Sequence, residues 1–179
     1  ALVIVPLAVG TTEKPSPVRK LSPVAVTVLL VSALPLYARV SLAAVSVISL
    51  GVIAIFALPG AYTPTCSAQH LPGYVQAAEE FKAAGVDEIW CLSVNDAFVM
   101  GAWGRENAAG GKVRMMADGS ADFTRAVDLV LDLTAKGLGV RSQRYSMLVD
   151  NGVVRTLNIE GPGKFEVSDA ATLLAQARA

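Results

Sequence analysis

A mixed α/β fold, one central sheet with helices against its faces, is the class this sequence predicts, and three observations carry it. From residue 51 onward, short runs rich in Val, Ile and Leu alternate with segments whose apolar residues recur at helical spacing. Gly and Pro fall at the boundaries between these segments rather than inside them. Near the end of the chain, Asp150-Asn151-Gly152 separates two apolar runs as a tight antiparallel turn would, so the sheet is parallel in part and antiparallel at that hairpin. A chain of 179 residues and 18.6 kDa fits a single domain, 1–179.

Taken in order, Val52 to Leu58 is apolar throughout and closed by Pro59-Gly60, which predicts a central strand ending in a turn. A helix should follow: Val75, Ala78 and Phe81 recur near helical spacing, Gly85 ends the pattern, and Pro72-Gly73 predicts a kink or a late start. Ile89 to Val94 is the next buried strand. Asn95 and Asp96 are N-cap residues for a helix carrying Phe98, Val99, Met100 and Trp103, and Gly110-Gly111 closes it before a strand over Val113 to Ala117. Ser120 and Asp122 open another helix, expected to run to about Val130, and a loop with Gly137 and Gly139 precedes the strand Tyr145 to Val149. The hairpin partner is Val153 to Ile159, and Ser168 is expected to cap a last helix, Ala170 to Ala177.

The first 58 residues differ from the rest: they are mostly apolar, with Glu13, Lys14, Arg19, Lys20 and Arg39 as their charged side chains. Val40 to Leu58 is 19 residues without a charge, long enough for a membrane span. Its Val and Ile content, Gly51 and the polar loop that follows favour buried strands, with a membrane anchor as the lesser alternative. Lys14 to Lys20, with Pro15 and Pro17, reads as an extended loop. Fifteen Lys and Arg balance fifteen Asp and Glu, so no basic field exists to hold nucleic acid. Two cysteines, Cys66 and Cys91, and one histidine, His70, supply neither a disulfide framework nor a zinc-ligand pattern.

Chemistry concentrates in Pro59-Gly60-Ala61-Tyr62-Thr63-Pro64-Thr65-Cys66-Ser67, a polar turn between strand and helix. A cysteine at a helix start meets unpaired N–H groups and the positive end of the dipole, which favour a thiolate. A lone cysteine is also often a small buried hydrophobe, and Cys66 alone does not decide between the two.

The flanking residues add a resemblance. Pro59, Thr63 and Cys66 match the Pro-x-x-x-Thr-x-x-Cys signature of the peroxiredoxins, and the longer string resembles their atypical two-cysteine, or type II, branch. The similarity continues through His70-Leu71-Pro72-Gly73-Tyr74, Ser93-Val94-Asn95-Asp96-Ala97-Phe98 and Arg144-Tyr145-Ser146-Met147, over about residues 51–179, while residues 1–50 depart from the family pattern. It implies a thioredoxin-like fold and a thiol peroxidase that reduces hydrogen peroxide and alkyl hydroperoxides through a sulfenic acid at Cys66.

In that reading Thr63 accepts a hydrogen bond from the peroxide or donates one to the sulfur, and Pro59 walls the pocket against water. By resemblance the active-site arginine is Arg144, just before a strand; Arg141 is a helper or a surface residue, and His70 is structural rather than an acid or base. No second cysteine stands in the C-terminal stretch Glu166-Val167-Ser168, where animal members carry one. Cys91, with 24 residues between it and Cys66, is the remaining candidate resolving cysteine, but inside Ile89-Trp90-Cys91-Leu92 it would be buried and inert without local unfolding. An external thiol, from glutathione, glutaredoxin or thioredoxin, is therefore the expected reductant, with no bound cofactor or metal. Phe98, Val99, Met100 and Trp103 suit either the core or a homodimer contact. A cytoplasmic or organellar compartment, mitochondrion or plastid, is expected. A peroxide sensor passing oxidation from Cys66 to a partner is the alternative function.

Overall fold

Seven consecutive apolar residues form β1 (Val52–Leu58), and a strand with no polar face requires cover on both sides. The computed structural model describes residues 51–179 and meets that requirement by placing β1 in the middle of a five-stranded sheet. β2 (Glu88–Ser93) lies parallel to β1 on one side and β3 (Arg114–Ala117) parallel beyond it. On the other side β6 (Tyr145–Asp150) runs antiparallel to β1, and β7 (Val153–Ile159) forms the outer edge. The fold is the expected thioredoxin-like α/β arrangement, a mixed central sheet with flanking helices.

Alternation along β1 sends Ala54, Phe56 and Leu58 into one core and Ile53, Ile55 and Ala57 into another. The first holds Cys66, Tyr74, Phe81, Cys91, Met100 and Trp103; the second holds Trp90, Phe123, Leu129, Tyr145 and Met147. Phe56 stacks on Tyr74 with ring centroids 3.9 Å apart and planes 6° from parallel. Each such buried side chain contributes about 1.5–3 kcal/mol, so Phe56 and Tyr74 anchor the helix that carries Cys66 to the sheet.

The residue 52–58 part of the long apolar stretch is thus a buried strand, and among the described residues no helix is long and apolar enough to cross a membrane. The expectations for residues 1–50, the earlier part of that stretch and the Lys14 to Lys20 loop, lie outside the described residues.

Several boundaries differ from the sequence reading. After a wide turn over Cys66–His70, α1 (Leu71–Gln76) and α2 (Ala78–Ala83) break at Ala77, not at Pro72-Gly73. Pro72 lies in the first turn of α1, directly after the widened turn, and is accommodated without a break. Asp96 caps α3 (Ala97–Glu106) through the N–H groups of Phe98 and Val99, at 2.8 and 2.9 Å, while Asn95 turns elsewhere. The helix expected to reach Val130 stops early, as α4 (Asp122–Ala126). Its start is held by Asp118, whose carboxylate accepts from the N–H groups of Phe123 and Thr124, and not by Ser120. Asp128 then takes a left-handed conformation (φ 61°), and the chain reverses into β4 (Val130–Leu133), which pairs antiparallel with β5 (Gly139–Ser142). At the predicted hairpin, Asn151 and Gly152 both have positive φ, 47° and 82°, as a type I′ turn demands. Asp169, one residue beyond Ser168, caps α5 (Ala170–Ala177) by accepting from Thr172 N–H at 3.0 Å.

Candidate active site

The turn leaving β1 is built by backbone contacts that need small or rigid residues. A Cβ on Gly60 would sit 3.1 Å from Arg141 Nη1 and 3.3 Å from Thr63 Cγ2, so a side chain there would displace both. Asn95 Oδ1 accepts the Ala61 N–H at 3.0 Å and the Ser93 hydroxyl at 2.8 Å, tying the turn to the end of β2. Arg141 Nη1 reaches the carbonyls of Pro59 (3.4 Å) and Val94 (3.3 Å), bracing the same two loops.

Helical backbone then begins at Pro64, and the Ser67 N–H bonds the Thr63 carbonyl at 3.0 Å. Over Cys66–His70 it widens into a π-type turn, in which the Leu71 N–H reaches the Cys66 carbonyl. In this wider turn residues four apart stay near one face, and Cys66 and His70 are both buried there. One guanidinium bridges them: Arg144 donates from Nη2 to Cys66 Sγ at 3.3 Å and from Nη1 to His70 Nδ1 at 3.0 Å. The Phe165 ring lies over the same guanidinium, 5.5 Å from Cζ, and 4.9 Å from the imidazole.

The tautomer of His70 follows from its neighbours. A guanidinium has no acceptor, so Nδ1 must be the bare nitrogen and Nε2 must carry the hydrogen, which it donates to the Ser168 carbonyl at 3.1 Å. Burial, and then the positive Arg144, push the imidazole down to about 3 against the opposing pull of the Ser168 carbonyl, Glu160 and Asp169. His70 is therefore neutral, and its bare Nδ1 accepts from Arg144.

Each residue singled out from the sequence has a definite place. Thr63 donates its hydroxyl proton to the Gly60 carbonyl at 2.8 Å. That removes the expected donation to sulfur and leaves the oxygen's lone pairs as acceptors. Pro59 is half-buried at the start of the turn. Of the two arginines, Arg144 meets the sulfur and Arg141 meets only backbone carbonyls. Cys91 is fully buried in β2, opposite Phe56; burial, with nearby Cys66 adding to it, pushes its thiol well up. Phe98, expected in the core or a dimer contact, is 89% exposed on α3, whereas Met100 and Trp103 of the same helix are buried. Among the described residues no three His, Cys, Asp or Glu side chains gather as metal ligands would.

Residues 39–174 match the Redoxin family. Peroxiredoxin-2B of Arabidopsis thaliana is 50% identical over 122 residues, which cover 68% of this chain and 75% of the relative. The chain belongs to the peroxiredoxins. Chloroplastic Peroxiredoxin-2E-2 of Oryza sativa subsp. japonica is 51% identical over 123 residues, 67% of this chain and 55% of the relative. Reduced Prx3 from Vibrio vulnificus, a structure holding H2O2, is 54% identical with a TM-score of 0.69, over 71% of this chain and 79% of that one. This peroxiredoxin is of the type II kind, a thiol peroxidase that reduces peroxides.

Sequence reasoning, which read Asn95 as an N-cap and Arg141 as a helper or surface residue, did not foresee that both brace the peroxiredoxin turn, and it missed Phe165 as the cover of Arg144. The signal for the first two was present, since a polar side chain beside a buried turn must find partners. Phe165 gave none, standing alone in a loop of Gly, Pro and charged residues.

Proposed function

We propose that Cys66 is the peroxidatic nucleophile, that Arg144 and Thr63 position the peroxide against it, and that an external thiol restores it. The observation that carries this reading is the 3.3 Å contact between Arg144 Nη2 and the sulfur. A guanidinium donor gives a charge-assisted hydrogen bond, strongest when the sulfur is an anion and when negative charge builds on the departing oxygen. The Thr63 oxygen, its own proton committed to Gly60, accepts the hydroperoxide proton and so orients the O–O bond. Pro59, with no N–H, keeps one wall of the turn from hydrogen-bonding water.

The step balances simply. The thiolate attacks one peroxide oxygen, an S–O bond forms as the O–O bond breaks, and the other oxygen leaves as alkoxide or hydroxide and takes up a proton. Sulfur is oxidised to sulfenic acid and the peroxide is reduced to alcohol or water. A thiol then displaces water from the sulfenic acid to give a mixed disulfide, and a second thiol releases Cys66. Cys91 does not serve as that first thiol, because it is held protonated inside β2 with a ladder on either side. Glutathione, glutaredoxin and thioredoxin are the candidate reductants, which places the protein in a thiol-reducing compartment, cytoplasm or organelle. Exposed Phe98 on α3, and exposed Tyr62, whose ring centroid lies 6.4 Å from that of buried Trp103 on the same helix as Phe98, support a homodimer contact beside the site.

Stopped-flow oxidation of the reduced protein by H2O2 and by an organic hydroperoxide, followed by turnover with each reductant, tests this reading. Fast oxidation with sustained turnover is expected for at least one reductant; fast oxidation without turnover by any of them would instead favour the sensor reading.

A further inference from the structure

The contacts that orient Arg144 end on the Ser168 carbonyl, at the far end of a loop over residues 161–168 with no helix or strand of its own. Residues 161–164 of that loop are exposed, while Phe165 packs on His70 and Arg144 and the Tyr74 hydroxyl donates to the Ser168 carbonyl at 2.9 Å. The backbone that presents this carbonyl is gathered by one carboxylate oxygen. Glu160 Oε1 accepts the N–H groups of Glu166, Val167 and Ser168, each at 2.8 Å, and the Ser168 hydroxyl at 2.9 Å. Three successive amides turned onto one anion form a nest, and the hydroxyl completes it. The Glu160 N–H donates to the Arg144 carbonyl at 3.0 Å, so the same residue grips the backbone of the arginine whose side-chain neighbours it arranges.

We propose that Glu160 is a positioning residue for peroxide reduction: its side chain fixes the Ser168 carbonyl, that carbonyl fixes the tautomer and ring plane of His70, and His70 holds Arg144 against Cys66. The proposal rests on reading Cys66 and Arg144 as the reacting pair. Without the carbonyl, His70 is free to carry its hydrogen on Nδ1. That hydrogen would face an Arg144 N–H, donor against donor, and the guanidinium would turn from the sulfur. Phe165, carried by the same loop, would lose its place over both groups. The burial of the Glu160 carboxyl works to raise its pKa, but the amide and hydroxyl bonds outweigh it and hold the group below its ordinary value, so the nest stays charged at neutral pH.

Because His70 is the one histidine of the chain, its ring nitrogens can be read by NMR without assignment ambiguity. The parent should show a single neutral tautomer with hydrogen on Nε2. In Glu160→Ala that signature should give way to mixed tautomers, and oxidation of Cys66 by H2O2 should slow by about tenfold or more, as misplaced catalytic groups do. Glu160→Gln keeps an acceptor oxygen and should stay within about threefold of the parent. In an Arg144→Lys background, adding Glu160→Ala should cost less than about twofold more, because the two changes act on one element. If Glu160→Ala does not fold, Glu160→Asp, which keeps the charge but draws the oxygen back by one methylene, should move tautomer and rate in the same direction. Parent-like oxidation in Glu160→Ala, an unchanged His70 tautomer beside a slowed rate, or a full slow-down persisting in the Arg144→Lys background would each overturn the proposal. A parent protein that peroxide does not oxidise at Cys66 would overturn the nucleophile assignment itself, a result the His70 tautomer cannot mimic.

Discussion

Cys66 and Cys91 share one hydrophobic core, and each is 0% exposed. Burial therefore does not tell the proposed nucleophile from the cysteine proposed to be inert. The difference lies in what else reaches the sulfur and in how the backbone beside it is held. Cys91 sits in a strand paired on both edges, with Phe56 of β1 and Met115 of β3 as its register partners. Its surroundings favour the neutral thiol. Cys66 stands in the first turns of a helix with one guanidinium hydrogen against its sulfur. A charged donor from a distant segment is what separates the two sites, and the proposed nucleophilic role of Cys66 rests on it.

The most direct way to break this contrast is Cys66→Ser, which should abolish peroxide consumption while leaving the fold intact, because a hydroxyl is a poor nucleophile at neutral pH. Turnover near the parent rate would move the chemistry elsewhere. Next, Arg144→Lys should slow Cys66 oxidation by about a hundredfold, since an ammonium cannot span sulfur and His70 together. Arg141→Lys, losing only bonds to backbone carbonyls, should slow it by less than about tenfold. A reversal of that order in stopped-flow traces would reassign the site.

A pH series sharpens the contrast from the side of the buried imidazole. The unfolded chain binds a proton at His70 below about 6.5, whereas the folded chain resists until about 3. Stability should accordingly be complete above pH 6.5 and fall as pH drops through that window, by up to about 1.4 kcal/mol per pH unit. In denaturant melts, His70→Gln should remove this slope in the part of the window above the carboxylate range. A parent with flat stability there would mean that His70 is protonated in the fold. The smallest effect belongs to Cys91→Ala, which should keep turnover supported by an external thiol and cost about 1–2 kcal/mol for a small cavity. A rapid Cys66–Cys91 disulfide in the peroxide-treated parent, seen by mass after unreduced digestion, would put the resolving role on Cys91.

What could be read in advance follows the physics of each signal. β1, β2 and the Asn151-Gly152 hairpin were legible because a run of Val and Ile or a turn demanding positive φ depends on near neighbours alone. Val130–Leu133 was not, because Val127, Leu129 and Val130 continue a helical pattern that the left-handed Asp128 interrupts, and nothing local marks Asp128 for that conformation. Cap positions slipped where acidic and hydroxyl residues stand close together, as at Asp118 and Ser120 or Ser168 and Asp169. At the site, Cys66, Thr63 and Pro59 form a local motif. The links from Arg144 to His70 and on to Ser168 cross 74 and 98 residues and leave no periodic trace.

Those long separations bear on how the protein is made. The sulfur and the guanidinium that meets it are 78 residues apart in the chain, and β1 gains its antiparallel neighbour only when residues 145–150 are available. Pairings of that span form late and slowly, after shorter-range structure. A chain still emerging from the ribosome, with Cys66 exposed to the cell but Arg144 not yet synthesised, therefore carries an unassisted thiol. In the proposed reading, the Cys66–Arg144 pair is therefore complete only once β6 has docked on β1.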